Sequence, residues 1–276
     1  MIYRRQKFLL AILLESPKEL TITELTGISA IISQNSKHFK TQPPYDLIAT
    51  DKPKSLQLLK DVQQLKIKEL LTLNAQTITN NLSIKAKNIA FELSFEELKD
   101  IKLITQNHFS TSPKKRELAI ASVIPKHKTK KATPSIFTVG YEGESVDHFF
   151  NKILSSGIKA IIDIRNNPIS RKYGFSKKIM AQLLKESGVD YFHFPELGIP
   201  SSLRKNLKSD TDYRRLLDEY EQTVLPKTEA VQTHVLELLK SKPSALLCFE
   251  ADQDSCHRSR LAKSLEKMGG LSILHI

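Results

Sequence analysis

Residues 136–165 read IFTVGYEGESVDHFFNKILSSGIKAIIDIR, and the order of patterns within them decides the fold. Ile136-Phe-Thr-Val139 is a short apolar run closed by Gly140-Tyr141-Glu142-Gly143. A helix follows from about Ser145 to Ser155. Ala160-Ile-Ile-Asp-Ile164 is a second apolar run, leading into Arg165-Asn-Asn-Pro168. Strand, helix, strand in this compass is the repeating unit of a parallel sheet.

The alternation continues downstream. A helix near Ser176 to Glu186 is stopped by Gly188, and Asp190-Tyr-Phe-His-Phe194 is a third strand followed by Pro195-Glu196-Leu197-Gly198. A long basic helical stretch, Leu203 to Leu239, precedes a fourth strand, Ala245-Leu-Leu-Cys-Phe249, which Glu250 ends. Asp254-Ser-Cys-His-Arg258 opens a helix to Met268 with Asp254 or Ser255 as its cap, and Leu271 to Ile276 is a last short strand. Residues 135–276 therefore predict an α/β domain, a mostly parallel sheet with covering helices. Such sheets bind ligands outside the carboxyl ends of their strands.

Four strand ends carry Gly, Pro or charged residues, and one cleft is expected to gather them. Glu250, Asp163 and Glu196 are the candidate acid/base carboxylates. Desolvation at the end of an apolar strand would raise the pKa of Glu250 and suit it to proton transfer. Cys256 and His257 join them as candidate catalytic groups, because a helix N-terminus favours a thiolate. Against a nucleophilic cysteine stands spacing: Asp254 and Ala262 occupy the positions where a cysteine phosphatase needs arginine. Arg165, Arg171 and Arg258 are candidate anion clamps, with Tyr141, Glu142 and His193 as further ligand contacts. Cys256, His257, His193 and the carboxylates could hold a metal, but no CxxC-type spacing occurs and none is expected; without GxGxxG or GxxxxGK[ST] no cofactor is expected either.

Taken together, Val139-Gly-Tyr-Glu-Gly143, Asp163-Ile-Arg165 with Pro168-Ile-Ser170, Gly174-Phe-Ser176, Tyr191 with His193, Glu196-Leu-Gly198, Cys248-Phe-Glu250 and Cys256-His-Arg258 resemble the domain-of-unknown-function family 488. The resemblance runs from about Ile136 to Ile276. It implies an α/β domain of bacterial or archaeal cytoplasm and brings no settled reaction.

Upstream, residues 111–134 read as a basic linker. Ser112-Pro113-Lys114-Lys115-Arg116 opens it and Pro125-Lys126-His127-Lys128-Thr129-Lys130-Lys131 closes it, with a short helix around Glu117 to Val123. Residues 1–110 read as a smaller α+β domain. Phe8, Leu9, Ile12 and Leu13 share one face of an amphipathic first helix. Thr21 or Thr23 caps a second. Pro53 opens a third, with Leu56, Leu59, Val62 and Leu65 on its apolar side. Thr72 to Ile78 and Ser83 to Phe91 are expected as short strands, and Phe95 to Ile104 as a closing helix capped by Ser94. Three helices and two strands suggest a winged helix, with Lys52, Lys54, Lys60, Lys66 and Lys68 around the DNA-reading third helix. A small helical docking module is the competing expectation.

Composition bounds the rest. The chain has 276 residues and a net charge of +12, a balance that favours polyanions, DNA or RNA first. No run of eighteen apolar residues exists, so no membrane partner is expected, and MIYRRQKFLLAILLES reads as a helix rather than a cleaved leader. Two cysteines make no disulfide framework, and a cytoplasmic location is expected. The leading functional expectation is an enzyme performing hydrolysis or group transfer on a nucleotide or nucleic acid. The alternatives are a DNA-binding regulator that senses a nucleotide or other anionic ligand, and a protein-interaction adaptor.

Overall fold

The structure is a computed structural model that describes residues 1–17, 19–41, 43–48, 54–75, 77–79, 82–124, 132–200, 203–204 and 209–276, apart from the side chain of Asp210. The chain divides into two units, Met1–His127 and Lys128–Ile276.

The second unit is the α/β domain. Its elements run β4 (Ile136–Gly140), α7 (Val146–Ser155), β5 (Ala160–Asp163), α8 (Lys177–Glu186), β6 (Asp190–His193), α9 (Asp210–Thr223), α10 (Glu229–Ser241), β7 (Ser244–Cys248), α11 (His257–Gly269) and β8 (Ile273–His275), numbered after the first unit's elements given below. All pairings are parallel, and the strand order is β6-β5-β7-β4-β8. Every residue of β4, β5 and β7 is buried, whereas the edge strands β6 and β8 keep exposed positions. That is why the three inner strands read as near-continuous apolar runs.

The chain travels one way from β4 through β5 to β6, then returns to the central strand β7 and leaves the other way to β8. Right-handed crossovers place the helices of these two journeys on opposite faces. Ile136, Ile162, Ile164 and Leu246 pack with Leu216, Leu217 and Tyr220 of α9, Val235 and Leu239 of α10, and Leu261 and Leu265 of α11. Tyr141, of the opposite pleat, stacks on Phe175, which in turn meets Phe149 of α7. Ser145 caps α7 by accepting a bond from the His148 amide at 3.0 Å. The cap of α11 differs from expectation. It is Cys256, not Asp254 or Ser255, because the helix starts at His257 and the Cys256 sulfur receives the Arg258 amide.

The first unit contains α1 (Arg4–Leu14), β1 (Glu19–Thr21), α2 (Ile22–Asn35), α3 (Leu56–Ile67), β2 (Thr72–Asn74), β3 (Thr77–Thr79), α4 (Ile84–Ala90), α5 (Phe95–Phe109) and α6 (Pro113–Val123). A small antiparallel sheet has the order β1-β3-β2. Thr21 caps α2 and Ser94 caps α5, each with a glutamate that returns the bond. Three expectations are corrected. Residues 8–13 are buried all round α1, which is a core helix rather than an amphipathic one. Ser83 to Phe91 is no strand: Ser83 caps a helix that buries Ala86 and Ala90, four residues apart. Thr72 to Ile78 is split by a turn at Ala75 into β2 and β3.

The expected linker also changes. Its first half is α6, whose Ile120 and Val123 are buried, Val123 against Ala30 and Leu47 and Ile120 against Gly27. Apolar residues among the lysines give this helix a face to bury. Residues 125–131, and with them the lysines that close the expected linker, lie outside the described residues, as do Lys52 and Pro53.

Candidate functional site

Pleating sends neighbouring residues of a strand to opposite faces. Asp163 and Cys248, each the last residue of its strand, consequently start two separate clusters at the carboxyl end of the sheet.

The first cluster is closed on itself. The Asp163 carboxylate accepts the Arg165 amide at 3.1 Å, the Arg165 Nε at 2.8 Å and the Tyr191 hydroxyl at 2.5 Å, and pairs with the Arg165 Nη2. Arg165 Nη1 donates to the Tyr141 hydroxyl and to the Phe175 carbonyl, both at 2.8 Å. Asp163 is 0% exposed and Arg165 6%. Burial alone would lower the Arg165 pKa, but the bonds and charge of Asp163 outweigh it and raise it above the ordinary value. Burial and the same carboxylate raise the Tyr191 hydroxyl. With its donors committed inside the protein, Arg165 holds the segment after β5 onto the sheet rather than presenting itself to an anion.

The second cluster lies on the α9–α11 side. Glu250 Oε2 receives Cys248 Sγ at 2.9 Å and Cys256 Sγ at 3.0 Å. The two sulfurs stand 3.6 Å and 4.0 Å from His257 Nδ1. His257 Nε2 donates to the Ile164 carbonyl at 3.3 Å, and its ring meets Tyr220 edge-on. Both cysteines and His257 are buried. Desolvation pushes the Glu250 pKa up, as a strand-end carboxylate should experience. The bonds from both thiols and the charge of Arg204 reverse that and hold it at about 2. The expected raised value is thus corrected, because the desolvated carboxylate is richly hydrogen-bonded. Burial raises both thiols. For Cys248 the Cys256 bond and the His257 charge prevail and bring it down to about 6, whereas Cys256 remains above the usual thiol range. His257 is raised by Cys248 and Glu250 against desolvation.

Glu250 alone of this cluster reaches the surface. Its Oε1 accepts Arg204 Nη1 at 3.2 Å. It also lines a cleft of about 460 Å³ with Tyr213, Arg214 and Leu217 of α9 and with Asp254 and Ser255. The lining thus sets an aromatic ring and the Arg214 guanidinium beside the carboxylates of Glu250 and Asp254, with Arg204 paired to Glu250.

The other candidates take different places. Arg258 donates through Nη1 to the Glu250 carbonyl and through Nη2 to the Ala251 carbonyl at 2.8 Å, and Glu142 accepts the Ala251 amide at 3.1 Å. Both hold the loop that carries Glu250. His193 donates to the Arg165 carbonyl at 2.9 Å and receives Lys177 at 2.8 Å. Arg171 and Glu196 are exposed, the latter on a short turn at Pro195–Leu197. The expected single cleft is therefore two clusters. One gathers Asp163, Arg165 and Tyr141; the other gathers Glu250, Cys256 and His257. Sequence reasoning passed over Cys248, Arg204, Tyr213 and Arg214. The alternation along β7, which puts Cys248 on the face of Leu246, was the signal for the first. Nothing local marked the arginines beyond the basic stretch they belong to.

No helix among the described residues is long and apolar enough to cross a membrane. No curated protein and no solved structure matches the chain. Residues 145–265 match the family described as Domain of unknown function DUF488, a stretch from α7 into α11 that holds Asp163, Arg165, Cys248, Glu250, Cys256 and His257. By that match residues 145–265 of this chain are a DUF488 domain.

Proposed function

We propose that the C-terminal unit is an enzyme that hydrolyses, or transfers a group from, a nucleotide or nucleic acid bound at the Glu250 cleft. One observation carries the reading: the carboxylate at the end of the central strand opens onto a cleft walled by Tyr213 and Arg214, with Arg204 on its outer oxygen. Arg204 and Arg214 would neutralise phosphate, and Tyr213 would lie against a base. Glu250, held ionised by the thiols and Arg204, would orient the attacking group by accepting its hydrogen bond, while that group's proton passes to solvent and the leaving group departs with the bonding pair. A net charge of +12 agrees with an anionic partner.

The test is turnover by the full chain, with products from nucleotides and from single- and double-stranded oligonucleotides read by mass spectrometry. Glu250→Gln is expected to lower the rate at least about 100-fold while the chain stays folded. A variant with the parent's rate would refute the assignment.

A second reading, DNA binding by the N-terminal unit, is favoured by its element order. Helix, strand, two helices and two strands, with a sheet ordered β1-β3-β2, is an order a winged helix would have, and it supports that reading. On α3, Gln63 and Lys66 are exposed, while Asp61 is buried beneath Arg5, Gln6 and Tyr45. The helix would therefore present Gln63 and Lys66 to the groove. Lys66→Ala is expected to weaken duplex binding by the full chain and to flatten the log affinity against log salt slope by about 1. An unchanged slope would remove Lys66 from the phosphate contacts.

A further inference from the structure

We propose that Cys248, Glu250, Cys256 and His257 bind a divalent transition metal of the zinc class. The sequence spacing, Cys-x-Glu-x5-Cys-His, is not a recognisable zinc pattern. The fold makes it one in space. Cys248 ends the central strand, Cys256 caps α11 and His257 begins it. The donor atoms all lie within 4.8 Å of one another, and the separations between them include 2.9, 3.0, 3.6 and 4.0 Å. Bonds of about 2.0 to 2.3 Å to a tetrahedral ion set ligand-to-ligand edges of about 3.3 to 3.8 Å, so small shifts bring the four donors onto one centre.

The surroundings point the same way. A metal-bound histidine is oriented by a bond from its other ring nitrogen. Here Nε2 donates to the Ile164 carbonyl and leaves Nδ1 facing the sulfurs. A bound thiolate is steadied by amide donors, and the Arg258 amide points at Cys256 Sγ at 3.5 Å. The free oxygen of Glu250 is held by Arg204. Three of the four ligands are about 1% exposed. Apolar residues would fill that space without the desolvation penalty that two thiols, an imidazole and a carboxylate incur. An ion supplies the reason for gathering them. Two sulfurs and an imidazole select zinc-class ions over magnesium or calcium. Three ligands are enclosed, whereas Glu250 faces the cleft, so its position is the one where water or a substrate oxygen could replace a ligand.

The site does not depend on the catalytic reading, and its test needs no substrate. The full chain, reduced and stripped with a chelator, is titrated with cobalt(II). One equivalent is expected to bind, with an intense thiolate-to-cobalt charge-transfer band and the visible bands of tetrahedral cobalt, and zinc should displace it. The chain as purified should carry about one equivalent of zinc or a related metal by elemental analysis. Cys256→Ser should remove most of the charge-transfer intensity. Glu250→Gln leaves the buried ligands in place and should keep the fold, yet weaken cobalt binding more than about 10-fold. A folded chain with neither metal nor the charge-transfer band overturns the proposal, as does a Cys256→Ser or Glu250→Gln variant with the parent's spectrum and affinity.

Discussion

Asp163→Ala is expected to destabilise the C-terminal unit by about 3–5 kcal/mol, the usual cost of leaving a buried charge without its partner. Arg165 would stay behind at 6% exposure, losing the carboxylate that takes its Nε and Nη2. The Tyr191 hydroxyl and the Arg165 amide would lose their acceptor as well. Asp163→Asn keeps one oxygen and should fall between the parent and the alanine variant. Hydrogen exchange suits the measurement, because a chain of two units need not unfold in one step. The amides of β5 and of its neighbours β6 and β7 are expected to lose protection, while those of α1 and α2 keep theirs. A loss under about 1 kcal/mol would show that the pair does not hold the domain. If Asp163 instead served the reaction, Asp163→Asn would stop turnover with protection intact.

That expectation reverses the reading of Asp163 and Arg165 as a carboxylate and a clamp at the mouth of a cleft, and the reason is local. A strand-end position says that a side chain lies near the ligand edge of the sheet, but not which face it takes or what it meets there. Asp163 and Glu250 both follow apolar strands, and only the pleat and the crossing helices separate them. Asp163 meets Tyr191 and Arg165 and is closed in. Glu250 meets two thiols and an open cleft. The parallel sheet was legible, since β4, β5 and β7 are covered on both faces and their codes are nearly all apolar. The helix cap Ser94, and Thr21 as one of two candidates, were legible because capping is a local bond. Strand β1 was not: Glu19–Thr21 is three residues long and is made a strand by pairing with Thr77–Thr79, far away in sequence. Cys256, His257 and a carboxylate could be named as possible metal ligands, but Cys248 in place of His193 could not, for a related reason. The cluster's spacing is set by a strand end and a helix start that the sheet brings together, so no repeat such as CxxC records it.

Gly140→Ala is expected to have an effect of similar size on the same unit. A Cβ at this position would stand 1.9 Å from the Glu250 carbonyl oxygen, 2.7 Å from its carbon and 3.1 Å from the Ala251 Cα. These are backbone atoms, so no side chain can swing away. The loop itself is pinned from both sides. Tyr141 and Glu142 amides donate to the Phe249 carbonyl at 3.1 and 2.9 Å, and Arg258 holds the carbonyls of Glu250 and Ala251 from beyond. Relief therefore requires β4 and β7 to part at the register pair Gly140 and Cys248, or the Arg258 bonds to break. Either movement carries Glu250 and Cys248 away from Cys256 and His257. Overpacking in a well-filled core costs about 1–3 kcal/mol and more when backbone must shift, so the upper end or a failure to fold is expected. Gly143→Ala is the control. Its φ is +76° and nothing lies within 4 Å of the added methyl, so only the left-handed backbone is strained, at about 1–2 kcal/mol. Soluble yield and thermal unfolding of the two variants should differ sharply, and any folded Gly140→Ala chain should bind cobalt(II) weakly. Equal stability of Gly140→Ala and its parent would mean that the loop yields at no cost, and that the close approach of β4 to Glu250 does not position the site.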